Sequence, residues 1–356
     1  MPREDEILDL ARKFLREEVA PRAQDMDVDR EALKSALDGL CQRNLMALKR
    51  PDAFGGPNFS DAGMRHFQEE IARYSGALAF LQTQHQGVVG MIASSENKAL
   101  HEEYLPHMAN GKKLVGVGFS QLRRPGPPIM RAEPVKGGYV LNGLVPWVTG
   151  WSFFPEFMIG ATLPDGRAVF GLVPLRTVQG VEVSAPMQLA AMSAAMTVSV
   201  TLSDYFLAEG RVALVREVGW IQNNDQINIA QQGSFAIGCA QAGLDVLLSN
   251  AQKRKLCFAQ DAYDQMSSEL ELLKAETESA RLRVSEETVD ERLKLRAWQI
   301  ELAMRCAHAA VASSSGAANS MSHPAQRILR EALVFTVSAQ TGPIMEATLR
   351  RIAKMD

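Results

Sequence analysis

Hydrophobic residues recur every three or four positions through most of the first 110 residues. In the opening segment they stand at Ile7, Leu8, Ala11, Phe14 and Val19, a spacing that predicts an amphipathic helix. Similar patterns cover residues 4–23, 31–48, 60–74, 77–93 and 96–109. Ser60 stands where a hydroxyl can cap the third of these helices. We therefore predict an all-α domain over residues 1–112.

The pattern changes after residue 112. Short runs rich in β-branched and other apolar residues, with glycine between them, replace the helical spacing, which is typical of strands. These runs lie at residues 114–119, 139–141, 157–159, 168–173 and 197–202. We predict a β domain, a barrel or a sandwich, over residues 113–212.

Helical spacing returns in the last third of the chain. It covers residues 226–250, 262–283, 288–315 and 323–354. Thr288 and Glu291 have the spacing of a capping box, and Pro324 marks a second helix start because the residue before proline avoids helical angles. We predict a four-helix bundle over residues 213–356. The chain as a whole is predicted to be a multidomain α+β protein, with helices, then a β domain, then a helical bundle.

Composition narrows the class of protein. The net charge of −3, from 38 basic and 41 acidic residues, argues against a nucleic-acid partner, because binding to phosphate needs a basic face. The four cysteines are scattered with no Cys-x-x-Cys pair, so no metal site is expected. The charged N-terminus does not have the pattern of a signal peptide, and no apolar run is long enough for a membrane span. We expect a cytoplasmic protein.

Four short motifs follow one another along the chain. They are Arg50–Gly56, Tyr104–Pro106 followed by Gly111, Gly138–Gly150 with its Trp-Val-Thr-Gly ending, and Arg330–Ala332. Together with the helix, β and bundle order, these segments resemble the acyl-CoA dehydrogenase superfamily. The resemblance covers nearly the whole chain, and the Gly138–Gly150 segment is its most specific part.

The resemblance implies FAD, held between the β domain and the bundle. It implies that Thr149 donates a hydrogen bond at flavin N5 and that Trp147 and Val148 form an apolar wall beside the ring. The alternative is that these residues only pack in a strand. The family's flavin-contacting loop is replaced here by residues 120–128, in which Ser120 and Gln121 can meet a polar flavin edge. Arg123 and Arg124 either bind phosphate there or lie in a solvated loop.

A second group of matches lies in the bundle. In the family an arginine motif meets the FAD pyrophosphate of a neighbouring subunit, and its match here is Arg254, Lys255 and Phe258. A glycine-rich turn that approaches the cofactor in the family is reduced here to Gly316 after three serines. The resemblance implies FAD contacts at these residues as well.

The carboxylate base of the dehydrogenases is missing. A weakly acidic α proton needs a positioned base, and the two places where family members carry the glutamate match Ala339 and Asn228. Asp225, near the second place, and His85 are the remaining candidates. Their alternatives are an acid that favours a helix N-terminus and a histidine packed in the core. Glu346 is close in sequence, but we expect it to point elsewhere.

Three functions are compatible with these residues. The first is a flavin-dependent oxidoreductase acting on an acyl thioester such as an acyl-CoA, or on a related small molecule, with a relocated base. The second is a monooxygenase of the same fold that uses reduced flavin and oxygen, and the third is a non-catalytic scaffold. The family also implies a homodimer or homotetramer and an electron-transfer or flavin-reductase partner. Five bundle residues are spaced to share a face for such assembly: Leu270, Leu273, Leu293, Ala297 and Ile300. The alternative for some of them is packing within one bundle.

Overall fold

The first third of the chain is helical, as its spacing predicts. The structure, a computed structural model, describes residues 3–355 apart from the side chain of Gln231. The helices are α1 (Glu4–Phe14), α2 (Arg30–Gln42), α3 (Asp61–Tyr74), α4 (Gly76–Ala93) and α5 (Lys98–Met108). The Ser60 hydroxyl caps α3 by accepting the Gly63 N–H at 3.0 Å. The first helix was predicted to reach residue 23, but it ends at Phe14 and continues as a π turn and a 3₁₀ turn.

Eight strands form one sheet in the middle of the chain. They are β1 (Val115–Gly118), β2 (Met130–Val135), β3 (Gly138–Val148), β4 (Glu156–Thr162), β5 (Ala168–Pro174), β6 (Val181–Val183), β7 (Val198–Ala208) and β8 (Val212–Arg216). The order across the sheet is β6-β7-β3-β2-β4-β5-β8, with β1 parallel to β4. The long strand β3 lies antiparallel between β2, which pairs with its residues 138–143, and β7, which pairs with it as far as Val148. Its last residues are therefore held by β7.

The last third of the chain is a helical bundle. Its helices are α6 (Trp220–Ile227), α7 (Ser234–Arg254), α8 (Cys257–Arg281), α9 (Val289–Ser314), α10 (Pro324–Val337) and α11 (Gly342–Ala353). Helix α7 packs against α8, α9 and α10 within the bundle. The predicted helical stretch 323–354 is two helices, α10 and α11, separated by a turn at residues 338–341.

The predicted cap of α9 is displaced by three residues. The Thr288 hydroxyl, expected to cap α9, instead accepts the Ser285 N–H at 3.1 Å, within a capping box that begins at Ser285. A short 3₁₀ turn, Glu286–Thr288, therefore precedes the helix. The capping chemistry was predicted, and its register was wrong because a 3₁₀ turn offers the same donors as the first helical turn.

Close contacts, among them the two described here, join the N-terminal helices to the bundle. Helix α3 lies against α7 at Gly238, where a Cβ atom would stand 2.2 Å from the Glu69 carbonyl oxygen. On α10 the buried Glu331 carboxylate accepts the Gly76 N–H at 3.0 Å and an Arg327 N–H at 2.8 Å. These contacts fix the bundle relative to the first helices and leave a cleft between the bundle and the β sheet. In residues 3–355 no helix combines the length and apolar character that a membrane crossing requires.

Candidate functional site

A cleft of about 1200 Å³ lies where the β sheet meets the bundle. Its wall on the sheet side carries Ser120, Trp147 and Thr149, and its wall on the bundle side carries the turn between α10 and α11. Aromatic rings of Phe80, Phe119 and Phe235 and several carboxamide side chains complete the lining. The cleft therefore combines flat apolar surfaces with neutral hydrogen-bonding groups, a composition typical of cofactor and small-molecule sites.

The end of β3 presents alternate residues to the cleft. Trp147 and Thr149 line it, and the Thr149 hydroxyl lies 2.9 Å from the Thr197 hydroxyl. Val148 is fully buried in the hydrophobic core and does not line the cleft. Successive strand residues face opposite sides of a sheet. The prediction that Val148 forms part of the flavin wall is therefore wrong, whereas Trp147 and Thr149 share the cleft face.

The 3₁₀ turn Ser120–Arg123 divides its polar residues between the cleft and the core. The Ser120 hydroxyl lines the cleft and, among the described residues, is buried without a hydrogen-bond partner. The Gln121 amide donates to the carbonyl oxygens of Gly118 and Gly160 at 3.2 and 2.7 Å. Gln121 therefore holds the turn on the sheet, and its predicted place at a flavin edge is wrong.

Arg123 and Asp225 form an ion pair across the cleft. The Arg123 Nε and Nη2 atoms donate to the two Asp225 carboxylate oxygens at 2.6 and 2.8 Å. This bidentate geometry is the strong form of an arginine–carboxylate pair. Arg123 is thus not free to bind phosphate, and Asp225 is not a free base. The neighbouring Arg124 is exposed, lines the cleft, and has no ion-pair partner in the part of the chain that the structure describes.

The two positions predicted to match the family's glutamate meet at this cleft. Ala339 lies in the turn between α10 and α11 with φ of 52°, and Asn228 follows α6. Both line the cleft. The Asn228 amide donates to the Asn224 carbonyl oxygen at 2.7 Å and carries no charge. Neither position supplies a base.

Other acids near these positions are paired or lie elsewhere. Besides Asp225, the only acid among the described lining residues is Asp61, which forms an ion pair with Lys49. Glu346 is exposed and pairs with Arg350 at 3.1 Å. The described lining of the cleft therefore holds no carboxylate without a cationic partner.

His85 is a core residue. Its Nδ1 atom accepts the Val115 N–H at 3.0 Å, so Nε2 carries the proton and donates to the Met108 carbonyl oxygen at 3.1 Å. Burial lowers the pKa of His85 to about 4, because a charged imidazole would lose its hydration there. His85 ties α4 to β1 and does not line the cleft, so it is wrong as a candidate base.

The residues predicted to meet a neighbouring subunit's FAD lie together at one end of the bundle. Arg254, at the end of α7, donates to the Ser313 carbonyl oxygen at 2.8 Å and so lies beside the turn that contains Gly316. Lys255 adopts a left-handed conformation that ends α7, and Phe258 is 71% exposed. None of these four residues lines the cleft. They form a separate surface on the outside of the bundle.

Two buried arginines behind the cleft were not predicted. Arg292 and Arg296 on α9 are 2% and 1% exposed. Arg292 donates to the carbonyl oxygens of Gln226 and Ile227, which directly precede Asn228. Arg296 donates to the Ser338 carbonyl oxygen at 3.2 Å, and Ser338 directly precedes Ala339. Each arginine thus holds one of the two segments that bear the vacated base positions.

The sequence contained a signal for these arginines. Val289 and Leu293 line the cleft and Ile300 is buried on the same helix. Arginines at positions 292 and 296 are three or four residues from these apolar positions, which places them on the same face of the helix. A charged residue on the apolar face of a helix is a candidate for a special role, because burying a charge is costly.

The predicted oligomer face is internal to the bundle. Leu270, Leu273, Ala297 and Ile300 are at most 1% exposed within a single chain, and Leu293 lines the cleft. The helical spacing of these residues is therefore explained by packing within one bundle, and their assignment to an interface is wrong. Exposed apolar side chains of the bundle include Leu333, Val337, Leu349 and Ile352 on α10 and α11 and Leu272 on α8.

The sequence is similar to that of known proteins. A family model for the acyl-CoA dehydrogenase N-terminal domain matches residues 1–112. The chain is 23% identical over 376 residues to the mitochondrial short/branched chain specific acyl-CoA dehydrogenase of Bos taurus, covering 97% of this chain and 84% of the relative. It is also 23% identical over 261 residues to a 3-(aryl)acrylate reductase of Clostridium sporogenes, covering 70% of this chain and 68% of the relative.

A solved structure shows the same architecture. The acyl-CoA dehydrogenase of Bacillus anthracis, whose crystal structure is a complex with FAD, superimposes with a TM-score of 0.79 at 18% identity, covering 99% of this chain and 67% of that one. This likeness confirms the predicted fold class of helical domain, β domain and bundle. The first 112 residues therefore match the N-terminal domain of the acyl-CoA dehydrogenases, and the chain as a whole resembles the relatives in sequence and has the fold of this solved structure.

Proposed function

We propose that the protein is a flavin-dependent oxidoreductase that binds FAD in the cleft and acts there on an acyl thioester or a related small molecule. The observation that carries this proposal is the pairing of Trp147 and Thr149 on one cleft wall, opposite the turn that holds Ala339. The resemblance to the acyl-CoA dehydrogenases supports the choice of cofactor.

The residues on the sheet side fit a flavin. The cleft is large enough for a tricyclic ring and a substrate, and Trp147 offers a flat surface that is 49% exposed. Ser120 offers a buried hydroxyl without a partner among the described residues, and a buried polar atom of this kind is expected to gain a partner when a ligand binds. FAD, when bound, accepts a hydride at N5. The role of Thr149 is to hold the ring edge by a hydrogen bond.

The outer end of the bundle would serve a second subunit. Arg254 and Lys255 place two cations beside the Gly316 turn, where a Cβ atom would meet open space. Such a surface suits a phosphate group, because cations and an open backbone can approach its oxygens. We propose a homodimer or homotetramer in which this surface meets the FAD pyrophosphate of a neighbouring subunit. A monomer in light scattering would contradict the proposal.

The bundle side determines which reaction is possible. Neither Ala339 nor Asn228 can remove a proton, and the lining acids Asp61 and Asp225 are held in ion pairs. A substrate that must lose an α proton therefore needs a base from outside this set. Substrates that react without transfer of an α proton to a protein carboxylate fit the cleft better. The name of the Clostridium relative places a 3-arylacrylate among the compounds to test.

A second candidate function follows from the same observation. A monooxygenase of this fold uses reduced flavin and oxygen and has no need of the glutamate, so the occupation of both base positions by Ala339 and Asn228 favours it. The reduced flavin would come from a separate reductase. An oxidoreductase would instead pass its electrons to an electron-transfer partner.

The first experiment is the visible spectrum of the purified protein after incubation with excess FAD and removal of free flavin. We expect a retained flavin spectrum, and we expect Trp147→Ala to lower the occupancy at least threefold because the ring loses its apolar wall. Phe206→Ala is the matched control. Phe206 is an aromatic residue of the same domain with similar exposure, 51%, and it does not line the cleft.

The outcomes separate the functions. Anaerobic bleaching of the bound flavin by an acyl-CoA or an aryl propanoate supports the oxidoreductase. Oxygen consumption by the protein loaded with reduced flavin, without such bleaching, supports the monooxygenase. A colourless protein, or equal loss of flavin in both variants, would remove the proposed flavin site and leave a scaffold role.

A further inference from the structure

Arg296 is a buried cation without a counter-ion. It is 1% exposed, and the Ser338 carbonyl oxygen accepts its Nη2–H. Its Nε and Nη1 atoms are buried with no hydrogen-bond partner among the described residues. Burial alone lowers its pKa to about 10, so the guanidinium is still charged at neutral pH. Buried charges are normally paired, so these two donors call for an explanation.

Another buried arginine of the molecule shows the usual arrangement. Arg327 on α10 is 5% exposed and donates to the Glu331 carboxylate at 2.8 Å. That pair is neutral and ties α10 to the N-terminal helices. Arg296 has no carboxylate within ion-pair distance in the described chain. Arg292 on the same helix also lacks a carboxylate partner in the described chain, but each of its three nitrogens donates to a backbone carbonyl oxygen. The unused donors of Arg296 are therefore not shared by its neighbour on α9.

Arg296 lies directly behind the vacated base position. Leu293, one helical turn earlier on α9, lines the cleft, and so does Ser338, whose carbonyl oxygen Arg296 holds. The next residue, Ala339, has only a methyl group where the family carries a carboxylate. A positive charge thus stands behind a wall from which the protein's own negative charge is missing.

The remaining charges of the cleft do not cancel this one. Asp61 and Asp225 are matched by Lys49 and Arg123, and Arg65, which also lines the cleft, is matched by Glu278. Arg124 adds an unpaired positive charge at the exposed side. The net charge of these groups is therefore positive, and the charge of Arg296, buried behind the turn that contains Ala339, is poorly screened by solvent.

We propose that the cleft takes a substrate with an apolar, aromatic body and a free carboxylate, and that this carboxylate lies over Ala339 against the charge of Arg296. The inference rests on the proposed function, since it names the substrate class of the same site. The aromatic lining receives the body of the ligand, and the ligand supplies the negative charge that the protein lacks. Arg296 acts as a positioning and specificity-determining residue from behind the turn.

The test compares two ligands of nearly equal size and shape, one with a charged and one with a neutral head group. Binding of 3-phenylpropanoate and of its amide, 3-phenylpropanamide, is measured by calorimetry on the FAD-loaded protein and on the protein without FAD. We expect the carboxylate to bind about tenfold more tightly than the amide. In Arg296→Met, which keeps the length of the apolar stem, the ratio should fall to about one, whereas Arg296→Lys should retain most of the preference.

The control variant is Arg124→Gln. Arg124 is exposed, so its charge is screened, and its removal should change the ratio by less than twofold. A larger loss in Arg124→Gln than in Arg296→Met would overturn the assignment to Arg296. If Arg296→Met does not fold, as judged by circular dichroism, the wild-type ratio still decides, and equal binding of carboxylate and amide refutes the proposal.

Failure of this inference differs from failure of the proposed function. A protein that retains FAD but binds both ligands equally keeps its flavin role and loses the carboxylate preference, and Arg296 then only holds the turn. A protein that retains no FAD but still prefers the carboxylate supports the anionic substrate class and contradicts the flavin site.

Discussion

The two walls of the cleft differ in what they keep of the superfamily. The sheet wall keeps Trp147 near the end of β3 and Thr149 directly after it, where β3 is paired with β7. The bundle wall keeps its backbone, a turn between α10 and α11 and the end of α6, but has Ala339 and Asn228 in place of the acid. Cofactor binding and proton removal are therefore separable parts of this architecture.

The reason lies in how each wall is supported. Trp147 shares β3 with the buried Val148, and Thr149 follows directly, so the fold of the sheet and the cleft face depend on the same short segment. The bundle turn is held from behind by Arg296, through the Ser338 carbonyl oxygen. A backbone contact of this kind is indifferent to the side chain at position 339, and the base can be lost without loss of the wall.

The largest effect is expected from restoring the acid. Ala339→Glu places a carboxylate on the bundle wall, and a positioned base contributes about 10²- to 10⁴-fold to proton transfer. We expect the anaerobic rate of flavin bleaching by an acyl-CoA to rise by at least 10². Ala339→Gln, equal in size and uncharged, is the control and should give no gain. No gain in either variant would mean that the bundle wall differs from the dehydrogenases in more than its missing base.

His85 tests whether a core histidine has taken over the lost role. Because the pKa of His85 is lowered to about 4 from an ordinary 6.5, its contribution to stability is complete above pH 6.5 and is lost as the pH falls through about 4. This shift corresponds to about 3 kcal/mol. By urea titration, the free energy of unfolding of His85→Gln should therefore vary less between pH 7 and 4 than that of the wild type. The pH dependence of turnover should be the same in the two proteins.

A smaller effect is expected from Thr149 on the sheet wall. Thr149→Val keeps the shape and removes the hydroxyl, and the loss of one hydrogen bond, about 1 to 1.5 kcal/mol, should weaken FAD binding about tenfold. Thr201→Val, an exposed position on β7, is the matched control. Affinity measured by flavin fluorescence that is equal in the two variants would contradict a role for the Thr149 hydroxyl.

The smallest effect is expected at the outer end of the bundle. Arg254 is exposed, and exposed charges contribute about 0.2 to 1 kcal/mol. Arg254→Gln should lower FAD affinity two- to threefold, and the difference should shrink at high salt. Lys253→Gln, at the neighbouring exposed position, should have no effect. A loss in Arg254→Gln that does not depend on salt would point instead to its hydrogen bond with Ser313.

The general order of the fold was predictable because each region has its own hydrophobic period. Boundaries were less predictable. The stretch 323–354 has one continuous helical pattern, yet Ser338 ends α10 and Thr341 caps α11 by accepting the Ile344 N–H at 3.5 Å. The hydrophobic pattern continues across such a break, because both helices pack an apolar face against the bundle.

Within the candidate site, motif matches identified the positions and the structure decided their roles. Ala339 and Asn228 were both placed at the lost base from sequence, and both line the cleft. Asp225 and Arg123 were each considered alone, and it was their bidentate contact that removed both from the chemistry. Ion pairs between residues distant in the chain leave no mark in local spacing.

The sequence by itself indicated the helical and β regions and the absence of a glutamate at the two matched positions, since periodicity and residue identity are local properties. The tertiary structure alone decided which polar groups are paired. His85 became a core residue through its contacts with Val115 and Met108, and Arg296 became an unpaired buried charge through its place between α9 and the Ser338 turn. Burial and pairing depend on which distant segments meet, and that is fixed only when the chain is folded.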